Sequence, residues 1–405
     1  MIKQGVPMKD REISCEPSRR GFLWIFSKTP LTYMLTIFFI SSTIAFFIPV
    51  SSLYLSEELH VSEFKIGLFF TVQCLFSILI GMAVAKYSDI TGRRIRVICI
   101  GCICGALGCL SYAFIPEYWF LITLVNLIMG FTGVSNQLFA SAREYCENAG
   151  RNTLTFTSIL RVFFASAWIF GPPIAMFLLQ NSSFATVFIS CAAVYLLSLV
   201  LSVMFLPPDR KQERNNEVAD IRLFSDKSVV FLAIATVLIF TCNYMYLIAM
   251  PQQVTKVLGF ETKYVGIFMA TAAACEIPCM IVFSQLAKKI SMKYILLFTC
   301  VAGSVFYVTV GFSGSLTMIW ISQLANAIFI GNITTLGMYY FQELLPKVPG
   351  QATTLFSNSV AAGGIFSGLI CGSVAQAFGY AAVFYLAAVF SLLAFGFILL
   401  VRKVD

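Results

Sequence analysis

Twelve long apolar runs divide this chain, and they constrain its fold more than any other feature. Each has roughly 20 residues with almost no charge, the length that an α-helix needs to cross a bilayer. The predicted spans are 31–54, 65–86, 95–114, 118–142, 153–178, 183–206, 228–256, 263–287, 294–311, 315–341, 351–377 and 380–401. We therefore predict an all-α membrane protein with twelve transmembrane helices.

The composition fits lipid rather than water as the surrounding solvent. Of the 405 residues, 59% are apolar and 11% are charged, whereas soluble domains carry about a quarter charged residues. The net charge of +8 does not indicate nucleic-acid binding, because the basic residues lie in short loops between apolar runs. The 13 cysteines are scattered and His60 is the single histidine, so we predict no metal site, disulfide framework or cofactor.

Lysines and arginines fall almost entirely on one side of the predicted membrane. The tails and loops of that side hold 23 of them, whereas the other side holds three, Lys65, Lys256 and Lys263. Cytoplasmic loops of membrane proteins carry such an excess of positive charge. We therefore predict that both termini are cytoplasmic and that the number of spans is even.

The only long hydrophilic stretch between spans lies in the middle of the chain. It separates the first six spans from the last six, so it is the natural linker between two halves. The predicted organisation is a cytoplasmic tail at 1–30, a six-helix bundle at 31–206, a cytoplasmic linker at 207–227 and a second six-helix bundle at 228–401.

The two halves resemble each other at an offset near 200 residues. Residues 63–69 recur loosely as 261–268, and further matches pair Asn126 with Asn326 and Gly130 with Gly331. Parallel six-helix repeats are typical of transporters whose substrate site lies near the midplane of the membrane. The repeat therefore favours a transporter over a scaffold or a receptor.

Two ionisable residues lie deep inside the predicted spans. Arg161 is about eight residues into the fifth span and Glu276 about thirteen into the eighth, roughly 12 and 20 Å at the helical rise. Charges at such depth normally face a bundle interior or a cavity. We predict that Arg161 donates hydrogen bonds to a polar substrate or a carboxylate, and that Glu276 exchanges a coupling proton. Alternatively, Arg161 forms a structural ion pair and Glu276 is a hydrogen-bonding lock between helices.

Neutral polar residues in several spans add candidate substrate contacts. Amides bind hydroxyl groups, and aromatic rings stack on the apolar face of a sugar. The alternative for each of them is hydrogen bonding between helices, the usual role of Asn and Gln in membrane bundles. The candidates are Gln137, Asn243, Tyr244, Asn326 and Asn358, together with Glu144, which could meet Arg161 across a short loop.

A charged turn follows the second span. Asp89, Arg93 and Arg94 stand there in the segment DITGRR. Ion pairs in this turn, together with the charges of the helix ends, would hold the cytoplasmic side shut and act as a gate. The alternative is that the arginines only set the membrane orientation.

The charged turn and a proline motif resemble motifs of the major facilitator superfamily. Residues 89–94 resemble its loop between the second and third helices, and Gly171-Pro172 resembles the fifth-helix motif of its antiporters. The resemblance implies twelve helices in two halves and transport in the direction of export. The motif continues with Pro173 and removes two backbone donors, so we predict a bend or a break in the fifth helix.

A closer resemblance, which covers nearly the whole chain, is to the bacterial sugar efflux transporter (set) family. Polar residues recur in fixed order in both halves, in segments 137–145, 171–173, 242–246, 271–278, 341–346 and 352–359. The family implies efflux of lactose, glucose and related glycosides across the inner membrane. Glu144 and Arg161 are also similar in placement to the sugar-binding acid and arginine of lactose permease.

Together these features predict export of small sugars or glycosides by alternating access, in antiport with protons. We expect a monomeric, multi-pass protein of the bacterial inner membrane whose partners are sugar, protons and lipid. The alternative within the same fold is a multidrug or amphiphile/proton antiporter with an apolar aromatic cavity. An intramembrane enzyme is disfavoured because no nucleophile–base or metal pair is evident at depth, and a sensor because no soluble output domain is evident.

Overall fold

The computed structural model describes residues 23–209, 226–346 and 348–403. Within these ranges, twelve helices are long and apolar enough to cross a membrane, one for each predicted span. They are α1 (Lys28–Glu57), α2 (Glu63–Thr91), α3 (Arg94–Phe114), α4 (Tyr118–Asn148), α5 (Thr153–Asn181), α6 (Phe184–Phe205), α7 (Lys227–Val257), α8 (Lys263–Leu286), α9 (Met292–Phe312), α10 (Leu316–Leu344), α11 (Pro349–Phe378) and α12 (Tyr380–Leu400). The predicted tail and linker lie largely outside the described residues.

The fifth helix is continuous, so the predicted break at the proline motif is wrong. α5 runs through Pro172 and Pro173 to Asn181. Contacts on both sides hold this part of the helix: Gly171 packs on Ala45 of α1, and the two prolines pack on α8. Packing therefore maintains the helix across the two missing backbone donors. Irregular turns lie in other helices, at Leu121–Val125 and Gly130–Thr132 of α4, Gln253–Val257 of α7 and Ile333–Gly337 of α10.

Each half of the chain packs as a bundle, and three helix pairs join the two halves. In the first half α1 packs on α5 and α3 on α6, while in the second half α8 packs on α10 and α9 on α12. The pairs that cross between the halves are α2 with α11, α5 with α8 and α1 with α7. These six helices form the main contacts between the two halves.

The two halves touch most closely through glycines at one end of the bundle. A Cβ added to Gly67 of α2 would lie 2.2 Å from the carbonyl oxygen of Gly368 in α11, and one on Gly266 of α8 would lie 2.9 Å from the carbonyl oxygen of Pro172 in α5. Gly67 and Gly266 belong to the two repeated segments. The same position of each half therefore allows backbone-to-backbone contact with the other half. We call this the closed end; its loops are 58–62, 115–117, 182–183, 258–262 and 313–315.

Hydrogen bonds reinforce the closed end. Gln252 Nε2 of α7 donates to the carbonyl oxygen of Ser52 in α1 at 2.7 Å, and Lys256 Nζ donates to Ser56 Oγ. Gln180 Nε2 donates to Glu261 Oε2 at 2.7 Å. Hydrogen bonds from Lys263 and from Gln180 lower the pKa of the Glu261 carboxyl, so this carboxylate stays ionised at neutral pH.

The halves separate toward the opposite end, which we call the open end. Gly81 lies fourteen residues after Gly67, about four turns along the same face of α2. A Cβ on Gly81 would meet nothing within 4 Å. Hydrogen bonds join the two halves on the closed-end side of the bundle and extend as far as Cys74 Sγ, which donates to the carbonyl oxygen of Ala361. Toward the open end the halves diverge, and we call the space between them the gap.

Candidate functional site

Arg161 faces the gap. It shares one stripe of α5, at spacings of 4, 7 and 11 residues, with Ala165, Trp168 and Pro172. Pro172 contacts Gly266 of the other half, so this stripe points toward α8. The apolar residues that α5 exposes on its outer surface, Val162, Phe170, Ile174 and Phe177, lie on another face. Arg161 is itself exposed, and its guanidinium has no hydrogen-bond or ion-pair partner among the described residues. The arginine thus stands in the gap rather than toward lipid.

Glu276 lies at the side of the same gap, on α8. A Cβ on Gly331 of α10 would lie 2.9 Å from Glu276 Cγ, so the small glycine makes room for the acidic side chain. Glu276 is half-buried, and within the described ranges its carboxylate has no hydrogen-bond or ion-pair partner. The carboxylate therefore keeps open hydrogen-bonding capacity in this state, and both predicted roles of Glu276 stay predictions.

Polar and aromatic residues of the second half border the gap as well. Asn358 lies ten residues before Gly368 on the face of α11 that meets α2, and it is exposed where the halves diverge. The ring of Tyr244 in α7 lies next to Gly364, since a Cβ there would be 3.4 Å from Tyr244 Cε2. Asn243 is half-buried beside it. These three residues stay candidates for substrate contact.

Glu144 and Gln137 do not join Arg161, which corrects the predicted grouping. Glu144 Oε1 accepts from Arg94 Nε at 2.8 Å, and Gln137 Oε1 accepts from Arg94 Nη1 at 3.0 Å. The physical reason is that Arg94, at the start of α3, places a buried cation beside α4. Both side chains therefore complete an ion-pair cluster inside the first half.

Two of the predicted gate residues, Asp89 and Arg94, pair with each other within the first half. Arg94 Nη2 lies 2.9 Å from Asp89 Oδ1, so this ion pair joins the end of α2 to the start of α3. Arg93 is exposed. This ion pair stabilises the first bundle, and the role of the turn as a cytoplasmic gate stays a prediction.

The Arg94 cluster borders a cavity of about 260 Å³ at the open end. Tyr33 of α1, Glu144 and the start of the linker line it. Asp209 of the linker accepts from the backbone nitrogen of Ile95 at 2.6 Å and so provides an acceptor at the amino end of α3. The first residues of the linker are thereby fixed to the first half.

Replacing Arg94 with alanine should destabilise the protein by about 1–3 kcal/mol, because it removes hydrogen bonds that two carboxylates accept from a charged donor. The readout is the melting temperature of the purified protein in detergent. The matched control is Arg93→Ala at the neighbouring exposed position, with an expected change within about 0.5 kcal/mol. Equal melting temperatures for the two variants would contradict the assigned role of Arg94.

Asn326 lies inside the second bundle rather than in the gap. It is buried, and its Nδ2 donates to Gln323 Oε1 at 3.3 Å. Gln323 in turn accepts from the Tyr246 hydroxyl. The predicted direct contact between Asn326 and substrate does not fit this position. Its repeat partner Asn126 is likewise buried and bonded to Phe69 and Tyr112, so Asn126 connects three helices, whereas Asn326 bonds within its own helix.

The glycine contacts of the closed end were not predicted from the sequence, although a signal was present. Gly368 and Gly372 are spaced as small-xxx-small, a pattern that allows close approach of membrane helices. Gly67 packs on both of them. The bond between Gln252 and Ser52 had no comparable signal, because its two residues are 200 positions apart.

Comparison with known proteins agrees with this architecture. The sequence profile of the Major Facilitator Superfamily matches residues 33–321 and 232–405. Two solved structures have a similar fold at low sequence identity, which supports the fold alone. The nucleoside transporter NupG superimposes with a TM-score of 0.79 at 14% identity, over 93% of this chain and 99% of that one. A bacterial homologue of the human lysosomal transporter Spinster superimposes with a TM-score of 0.76 at 13% identity, over 92% and 95%.

Relatives identified by sequence similarity indicate a narrower family than the shared fold does. The chain is 37% identical to Sugar efflux transporter A of Escherichia coli (strain K12), over 89% of this chain and 93% of the relative. It is 32% identical to Sugar efflux transporter B of Salmonella typhimurium (strain LT2), over 90% and 93%. Sugar efflux transporter C of Escherichia coli (strain K12) is 30% identical, again over 90% and 93%.

Proposed function

Because this chain belongs to the sugar efflux transporters of the major facilitator superfamily, we propose that it exports small sugars or glycosides, such as lactose or glucose. It acts as a monomer in the bacterial inner membrane. Export proceeds by alternating access, in which the two halves open the gap to one side of the membrane at a time. The observation that carries this proposal is Arg161, a polar donor that faces the gap from the middle of a membrane helix.

The charge distribution supports an orientation for the cycle. The side that holds 23 lysines and arginines is the open end, and positive loops face the cytoplasm. The gap is then open to the cytoplasm and the glycine contacts seal the outer side. An exporter loads its substrate in this state.

The chemistry of the gap suits a sugar. Arg161 offers up to five N–H donors in a fixed fork, and Asn358 offers both a donor and acceptors for hydroxyl groups. The ring of Tyr244 provides a flat apolar surface on which the C–H face of a pyranose can lie. Helices of both halves contribute, so a bound sugar would touch both of them and respond to their movement.

We assign proton exchange to Glu276. It is the ionisable acid that stands half-buried at this depth without a partner in the described part of α8. The carboxyl group can be enclosed at low cost only when it is protonated and neutral, and it becomes charged when it releases its proton. Protonation from the outer side and release to the cytoplasm would let proton entry drive sugar exit.

Counterflow of labelled lactose in proteoliposomes tests this proposal. Vesicles loaded with unlabelled lactose should take up labelled lactose transiently, and an imposed pH gradient should change the net flux. Protein-free vesicles are the control for leakage. Absence of sugar-dependent flux across a panel of sugars would overturn the proposal. Flux of a lipophilic cation without sugar flux would favour the alternative, a multidrug or amphiphile antiporter.

A further inference from the structure

The positions of Arg161 and Glu276 relative to the closed-end contact place them at the same depth. α5 and α8 run antiparallel and touch where Pro172 meets Gly266. From that contact, Arg161 is eleven residues down α5 and Glu276 is ten residues down α8. At 1.5 Å per residue these separations are roughly 16 and 15 Å. One charge from each half therefore stands at nearly the same level, on two helices that pack against each other.

In the present state both groups border the gap. Arg161 is exposed and Glu276 is half-buried, and the described residues give neither a hydrogen-bond nor an ion-pair partner. Such charges are tolerated in a membrane protein where they line a water-filled space. Closing the open end would expel that water. Each charge would then need a partner, because an unpaired buried charge is strongly destabilising.

The geometry points to a state-dependent ion pair: we propose that Arg161 and Glu276 bind each other when the open end closes without substrate. Rotation of the halves about the Gly67 and Gly266 contacts would shorten the distance between α5 and α8 at this level. This inference rests on the proposed function, because it gives the sugar and the ion pair a shared site. Sugar bound to Arg161 competes with Glu276 for the guanidinium, so the pair re-forms only after the sugar has left.

Distances between the halves test the pair without any sugar. Spin labels are attached through a non-natural keto amino acid at positions 151 and 289, which are exposed at the open end of the two halves. This leaves the native cysteines in place. The long distance reports the state with the open end open, and the short distance reports the state with it closed. In lipid nanodiscs, Arg161→Gln and Glu276→Gln should each raise the population ratio of the open to the closed state about tenfold. An unpaired buried charge costs at least the 1.4 kcal/mol that a tenfold change in this ratio represents.

Exchanging the two charges distinguishes loss of the ion pair from a general effect of mutating either position. The double variant Arg161→Glu with Glu276→Arg keeps both charges and should restore the wild-type ratio, although the sugar site is rearranged. A ratio that stays at the single-variant value would overturn the proposal. If the double variant restores the wild-type distances but shows no counterflow, the Arg161–Glu276 pair is supported independently of sugar transport. Sugar flux in wild type with unchanged distances in all variants would refute this ion pair and leave the proposed function standing.

A second measurement tests directly whether positions 161 and 276 come close together. It is informative even if the wild type rarely closes its open end, because the link traps the closed state. Arg161→Cys and Glu276→Cys are combined in a Cys275→Ser background and treated in membranes with a short bifunctional thiol reagent, because an Arg–Glu ion pair can form at a larger Cα separation than a disulfide allows. The linked peptides are identified by mass spectrometry, and we expect a crosslink between positions 161 and 276. The matched control moves the first cysteine to Val162, on the outer face of α5, and should give none. Absence of the 161–276 link, or equal links in both variants, would overturn the proposal.

Discussion

Replacement of Arg161 by alanine is expected to weaken lactose binding and counterflow by about 10- to 100-fold. A hydrogen bond from a charged donor contributes roughly 1.5–3 kcal/mol, and each 1.4 kcal/mol corresponds to a factor of ten in affinity. Arg161 offers several such donors to sugar hydroxyls inside the gap. The measurements are the equilibrium affinity for lactose by calorimetry and the initial rate of counterflow.

Two further variants make this result specific. Arg143 is 68% exposed at the end of α4, where it pairs with Glu147, so Arg143→Ala should change counterflow by no more than about twofold. Arg161→Lys keeps the charge but loses the planar fork, and an intermediate loss is expected. Wild-type affinity in Arg161→Ala would remove this residue from the binding site.

A single added methyl group at Gly67 should destabilise the closed end. A Cβ there would lie 2.2 Å from the carbonyl oxygen of Gly368 and 2.7 Å from the Cα of Gly372. These are backbone atoms, so the helices must move apart. Overpacking of this kind costs about 1–3 kcal/mol, or roughly a 5- to 150-fold shift toward the state in which this end is open.

Spin labels at positions 182 and 314, both exposed at the closed end, report this shift as a longer distance in Gly67→Ala. Gly81→Ala is the matched control, because it makes the same change on the same face of α2 where nothing lies within 4 Å. Its distances should equal those of wild type. If both variants behave alike, the contact between Gly67 and Gly368 does not hold the closed end.

The membrane helices could be predicted because hydropathy acts on each segment separately. The span predicted at 228–256 is the helix Lys227–Val257, and the span predicted at 263–287 is the helix Lys263–Leu286. Transfer from water to lipid depends on the composition of one segment and not on its neighbours. The proline motif departs from its prediction for the opposite reason, since packing of Gly171 and Pro172 on neighbouring helices outweighs a local loss of hydrogen bonds.

The site could be predicted only in part. Arg161 and Glu276 were identified by depth, because a charge in a membrane helix is rare whatever surrounds it. The partner of Glu144 could not be identified in this way. Arg94, fifty residues away in sequence, and Arg161 are both cations that could pair with Glu144, and sequence spacing does not rank them. The packing of α3 beside α4 decides in favour of Arg94.

The sequence by itself determined the helices, the halves and the two deep charges, because water, lipid and membrane orientation act on segments one at a time. The tertiary structure decided which end of the bundle is sealed and which polar residues face the gap. It also decided which carboxylates form ion pairs with Arg94. These properties depend on distances between helices far apart in the chain, and a glycine or an asparagine acquires its role only from the neighbour that packing places beside it.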